Sequence, residues 1–113
     1  MTTKTYASVL WIFGLFLDSI NQVLVAMRYL EEATRYFEEI DCKDVEYYQC
    51  IIKLAEKYIS EYNKNGNMKY IERAILLGNT LFMNKDDYSS NKDMKHVATQ
   101  INKQLNKFRG IKK

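Results

Sequence analysis

The chain predicts an all-α fold, a helical bundle or stacked helical hairpins of four to five helices, and three observations carry that prediction. Apolar residues recur at steps of three and four through most of its 113 residues, no run alternates as a half-buried strand would, and no proline interrupts a helix. Short stretches bearing Asn, Asp and Gly separate the periodic segments. The length predicts a single domain, residues 1–113. With 47% hydrophobic and 27% charged residues, the composition excludes disorder, collagen and a disulfide-rich scaffold.

The first element is a helix over 5–17. Val9 to Leu17 is strongly apolar but nine residues long, under half of the roughly 20 needed to cross a bilayer. A membrane span is therefore not expected. A cleaved signal is not expected either, because one Lys precedes the stretch and Asp18-Ser19-Ile20 follows it. The next helix covers about 20–40, where Ile20, Val23, Leu24, Met27, Leu30, Ala33, Phe37 and Ile40 form an inward stripe. Arg28/Glu32, Glu31/Arg35 and Arg35/Glu39 are i,i+4 pairs on its outer side. Ser19-x-x-Gln22 reads as a capping box, yet nothing else breaks the pattern, so one long N-terminal helix from Thr5 to Ile40 is the alternative.

Asp44 is placed to cap a helix over 45–63, whose inward face would be Val45, Tyr48, Ile52, Ala55, Ile59 and Tyr62, widened by Ile51, Leu54 and Tyr58. Asn63 to Asn67, with Gly66, ends it. A helix over 68–83 follows, with Ile71, Ala74, Ile75, Leu77, Leu81 and Phe82 apolar and Gly78 predicted as a point of close backbone contact. Ser90-x-x-Asp93 opens a last helix over 90–109 with Met94, Val97, Ala98, Ile101, Leu105 and Phe108, ahead of a basic tail at 110–113. Ala33/Phe37 and Ala74/Gly78 lie 41 residues apart, and Gly78 stands where a bulky residue is wanted, which argues against a helical repeat array.

Chemistry is sparse. There is no GxGxxG, GxxxxGK[ST], HExxH or GxSxG, and two cysteines eight apart with one histidine cannot make a four-ligand zinc site. No metal and no cofactor is expected. The cysteine usage fits a reducing, cytoplasmic compartment. Cys42 or Cys50 with His96 could pair a nucleophile with a base, but Cys50 lies on an apolar-rich helix, where a thiol behaves as a small hydrophobe. Asn91 to His96 is similar to the arginine-x4-6-histidine element of the HEPN ribonucleases, with Asn91 where that family has arginine. The resemblance implies RNA cleavage assisted by His96, without the cation that would stabilise the phosphate.

Charge divides along the chain. Residues 1–61 hold 6 basic and 10 acidic side chains, a net of −4, and residues 62–113 hold 11 and 4, a net of +7. Lys95, Lys103, Lys107 and Arg109 of the last helix are the candidates for contact with nucleic acid. The one aromatic interleaved with them, Phe108, belongs to the inward apolar stripe, unlike a stacking surface.

The heaviest signal is the N-terminal segment. Val9, Leu10, Trp11, Ile12, Phe13, Leu15, Phe16 and Leu17 surround a helix, so burial on one side leaves large side chains wet. Even roughly 400 Å² of such surface corresponds to about 10 kcal/mol of gross driving force. A core position, a homo-oligomer seam or partner groove, and an in-plane membrane anchor are the three ways to cover it, the last disfavoured by the lone Lys4. Trp11, Phe13, Phe16 and Leu17 are the expected anchors, with Tyr29 and Tyr36, and also Tyr47, as tyrosines off the inward stripes. The sequence thus predicts a non-enzymatic interaction module of the inhibitor, immunity, chaperone or adaptor type. Its partner would be a protein or a second copy, with nucleic acid as the alternative.

Overall fold

Side chains able to start and stop helices punctuate the chain, and five α-helices result among the described residues. The computed structural model describes residues 2–111. Helix α1 (Thr3–Ser19) begins on Thr2, whose hydroxyl accepts a bond from Thr5 N at 3.1 Å. It ends with Asn21 in the left-handed region at φ 64°, where Gln22 N donates to Leu17 O at 2.9 Å and Asn21 N to Asp18 O at 3.0 Å. This is a Schellman closure, and Asn is among the few non-glycine residues that tolerate it. Helix α2 (Val23–Glu39) ends the same way on Asp41, φ 52°, with Cys42 N donating to Phe37 O at 2.9 Å.

Helix α3 (Val45–Asn65) starts on Asp44, whose Oδ1 accepts from Tyr47 N at 3.3 Å, and stops at Gly66, φ 71°. Helix α4 (Met68–Met83) is capped by Asn67, which accepts from Lys69 N at 3.0 Å. A 3-10 turn at Lys85–Asp87 leads to α5 (Lys92–Ile111), where Asn91 Oδ1 accepts from Met94 N at 3.1 Å. No strand occurs among the described residues, and the fold is all-α.

Several expectations are corrected. The long N-terminal helix does not form, because Asn21 takes the left-handed conformation and closes α1. The Ser19-x-x-Gln22 capping box is not made: Ser19 Oγ donates back to Phe16 O at 2.6 Å, and Gln22 makes no side-chain cap bond. Asn91, not Ser90, starts the last helix. Of the basic tail, Lys112 and Lys113 lie outside the described residues. No helix among the described residues is long and apolar enough to cross a membrane.

The chain forms two compact units that divide inside α3, one up to Leu54 and one from Ala55. In the first, Ala7, Leu10 and Trp11 of α1, Ala26, Met27, Leu30, Ala33 and Phe37 of α2, and Tyr47, Tyr48 and Ile51 of α3 are buried. Gly14 lets the first two helices approach: a Cβ there would sit 2.8 Å from Leu30 Cδ2. Lys4 and Asp18, the only charges on α1, pair with Asp44 at 3.2 Å and Lys53 at 3.4 Å. In the second unit, Tyr58 and Ile59 of α3, Ile71, Ala74, Ile75 and Leu81 of α4, and Met94, Ala98, Ile101, Leu105 and Phe108 of α5 are buried. Gly78 is the expected close contact, with a Cβ meeting Leu105 Cδ1 at 2.8 Å and Asn102 Oδ1 at 2.9 Å.

Five inward assignments fail. Val45 and Phe82 are exposed, as are Ile20, Leu24 and Ile40 at the rim of the α2 stripe. Tyr47, expected outside, is buried, because it reaches back to α2: its hydroxyl donates to Glu38 Oε2 at 2.8 Å and its ring meets Phe37 edge-on.

Candidate interaction face

The first unit carries an apolar surface that its own helices do not cover. Tyr6, Val9, Phe13, Phe16 and Ile20 succeed one another at steps of 3, 4, 3 and 4 along α1 and its C-cap, the spacing of a seam that packs against another helix. With Ile12 beside them, these side chains are 42–61% exposed. From Thr5 to Ile20, no exposed residue is charged. The sequence alone could not orient this helix, since its apolar residues run all round. Ala7 and Gly14, seven apart, mark the inner side, and small residues at that spacing are the signal that could have revealed it.

Helix α2 widens the face. Tyr6 meets Tyr36 edge-on at 5.0 Å, and Phe13 meets Tyr29 at 5.0 Å and 87°. Both contacts fit one antiparallel register, which sets the two helices side by side. Val25, four residues before Tyr29, continues the row and is exposed. The rim is charged: Arg35 bonds Glu32 at 2.9 Å and Glu39 at 3.0 Å, and its guanidinium lies 4.5 Å from the Tyr36 ring centroid. An apolar aromatic centre with a charged rim is the composition of a protein interface.

The expected contact residues divide. Phe13, Phe16, Tyr29 and Tyr36 come together on this face, with Tyr29 and Tyr36 half-buried by their α1 neighbours. Trp11 is corrected: at 9% exposure it lies in the core and supports α1 from within. Leu17 is half-buried. Tyr6, Val9, Ile12 and Ile20 were missing from the expected set and belong to the surface.

The basic candidates also divide. Lys95 and Lys103 line a shared groove, whereas Lys107 Nζ lies over the Phe108 ring at 5.0 Å. Arg109 donates to Asn79 Oδ1 at 2.9 Å, Asn102 Oδ1 at 2.8 Å and Asn106 Oδ1 at 2.9 Å, so its guanidinium ties α5 to α4. Asn91, the position where an HEPN element has arginine, spends its side chain as a helix cap, and His96 is exposed.

Cys50 is fully buried, with Thr34 Oγ1 at 3.3 Å and its thiol donating to Leu30 O at 3.4 Å. Burial pushes its pKa up to about 12, which removes the thiolate a nucleophile needs. Cys42 is raised too, by burial and by the adjacent Asp44 carboxylate. No group of three or more His, Cys, Asp or Glu that could hold a metal occurs among the described residues. No protein-family model, curated protein or solved structure matches the chain.

Proposed function

We propose that this protein is a non-enzymatic interaction module whose α1 face takes a helix of another protein, in the first instance the same face of a second copy. The uncharged heptad row on α1 carries the reading. Each large apolar side chain offers on the order of 200 Å². At the exposures of Tyr6, Val9, Ile12, Phe13, Phe16, Ile20 and Val25, roughly 600 Å² is left in water, near the approximately 800 Å² per partner of a standard interface.

A second copy is favoured by the order of side chains. Read backwards, the row opposes Tyr6 to Ile20, Val9 to Phe16 and Phe13 to itself, so the one small residue meets a large one under a two-fold axis at Phe13. The charged rim carries both signs and suits the same symmetry. A lipid surface is disfavoured: α2 bears Arg28 and Arg35 against Glu31, Glu32, Glu38 and Glu39, which an anionic bilayer repels.

Light scattering after size exclusion tests this. At tens of micromolar the chain is expected at twice its monomer mass. A Phe13→Ser/Phe16→Ser variant should run as a monomer with undiminished helical circular dichroism, since both residues are exposed. A monomeric parent chain, or pelleting with lipid vesicles in place of self-association, defeats the reading.

A further inference from the structure

The second unit holds a groove that the dimer reading does not use. It has a volume of about 330 Å³, at the lower end of the roughly 300–1,000 Å³ typical of ligand sites. Its base is apolar: Tyr88 and Ala98 are buried there, and Tyr88 is fixed by a hydrogen bond from its hydroxyl to Leu81 O. Phe82 of α4 forms a wall and is 62% exposed. Lys85 from the 3-10 turn and Lys95 and Lys103 from α5 also line it. Every charged residue in the lining is thus a lysine.

These features demand two things of an occupant. Three lysines along one lining favour an anion with several oxygens. The exposed ring above an apolar base favours a flat, weakly polar body, and Phe82 has Lys85 Nζ over it at 4.9 Å, a cation already placed against an aromatic face. A phosphate joined to a planar base satisfies both. Phe108, the one aromatic within the basic stripe, is buried, and the exposed ring is supplied here by a different helix.

We propose that this groove binds nucleotide units of single-stranded nucleic acid, with phosphates on Lys85, Lys95 and Lys103 and a base against Phe82. The site takes two of the four basic residues expected from sequence, adds Lys85 and Phe82, and leaves out Lys107 and Arg109.

Fluorescence anisotropy of labelled 12-mers of uridine and of thymidine tests it. Three phosphate contacts on a single strand predict a roughly 20-fold loss of affinity between 50 and 200 mM salt. Lys95→Gln/Lys103→Gln should weaken binding and flatten that salt dependence to about a third. Phe82→Ala, at an exposed position that leaves the fold intact, should cost at least about five-fold. Lys107→Gln, outside the groove, should cost less than either. Displacement by uridine monophosphate that depends on Phe82 assigns the free nucleotide as a sufficient ligand. Failure of the mononucleotide to displace a strand that itself needs Phe82 assigns the strand. No binding at 50 mM salt overturns the proposal, as does binding that the lysine pair and Phe82→Ala affect no more than Lys107→Gln. Polyglutamate binding that needs the lysines but not Phe82, with no strand binding, overturns it in favour of an acidic protein.

Discussion

Asp44 gathers three interactions at the start of α3. Its Oδ1 accepts from Tyr47 N at 3.3 Å, Lys4 Nζ lies 3.2 Å from Oδ2, and the Cys42 thiol donates to Oδ2 at 3.5 Å. Partial burial alone would raise the carboxyl pKa; the backbone bond from Tyr47 and the Lys4 ammonium outweigh it, and the net shift is downward from 3.8. Because the folded value lies below the unfolded one, this stabilisation is full above about pH 4 and fades as pH falls through the folded pKa. Asp44→Ala should therefore cost about 1 kcal/mol at pH 7, the usual worth of an N-cap, and the gap from the parent chain should narrow below pH 4. Urea unfolding at pH 7 and pH 3 measures both; an equal gap at the two values would mean that the carboxylate is not the source. The ion pair adds little, since both partners are about half exposed. This cap was legible in the sequence because a capping Asp acts on its own next turn. Tyr47 was not, because its burial depends on Phe37 and Glu38 of the preceding helix, which no period within α3 encodes.

At the scale of elements, the helices were readable wherever a periodic stripe ended on a recognisable stop, as at Gly66 and at the turn after Ile40. The α1/α2 break was ambiguous because only Asn21 and Gln22 separate the apolar Ile20 and Val23, whereas the turn after Ile40 spreads two Asp and a Lys over four residues. The side of α1 that faces inward was unreadable for a different reason, since apolar residues surround it and only the small Ala7 and Gly14 distinguish the sides. Gly78 shows the opposite case, where one residue forecast a packing contact between two helices. Substituting Ala there gains about 1 kcal/mol of helix propensity. It also forces a Cβ into Leu105, which is fully buried, and into Asn102 Oδ1, which accepts from Arg109 NH2 at 2.8 Å. Asn102 in turn donates to Gly78 O at 3.2 Å, so the network cannot shift without loss. Overpacking of this kind costs about 1–3 kcal/mol, so Gly78→Ala should destabilise the chain by up to about 2 kcal/mol net in thermal or urea unfolding. A stabilised variant would show that Leu105 and Asn102 yield freely.

Over the whole molecule, charge follows the division into units. Residues up to Leu54 hold 5 basic and 8 acidic side chains, and residues from Ala55 hold 12 and 6. The uncharged face belongs to the acidic unit and the lysine groove to the basic one, so the two proposed surfaces rest on different forces. Burial of apolar area is insensitive to moderate sodium chloride and strengthened by sulfate, whereas contact with phosphates weakens steeply as salt rises. Self-association should hold its mass from 50 to 500 mM sodium chloride while strand binding falls away over the same range. The substitutions should separate likewise: Phe13→Ser/Phe16→Ser, which changes no charge, should yield a monomer that binds strand with the parent affinity per chain. Lys95→Gln/Lys103→Gln should keep the dimer mass and lose the strand. Light scattering and anisotropy on the same four preparations, namely the parent, both doubles and their combination, decide it. If the serine variant loses strand binding while its circular dichroism is unchanged, the two surfaces are coupled and their independence fails, because no electrostatic contact was removed with the phenylalanines.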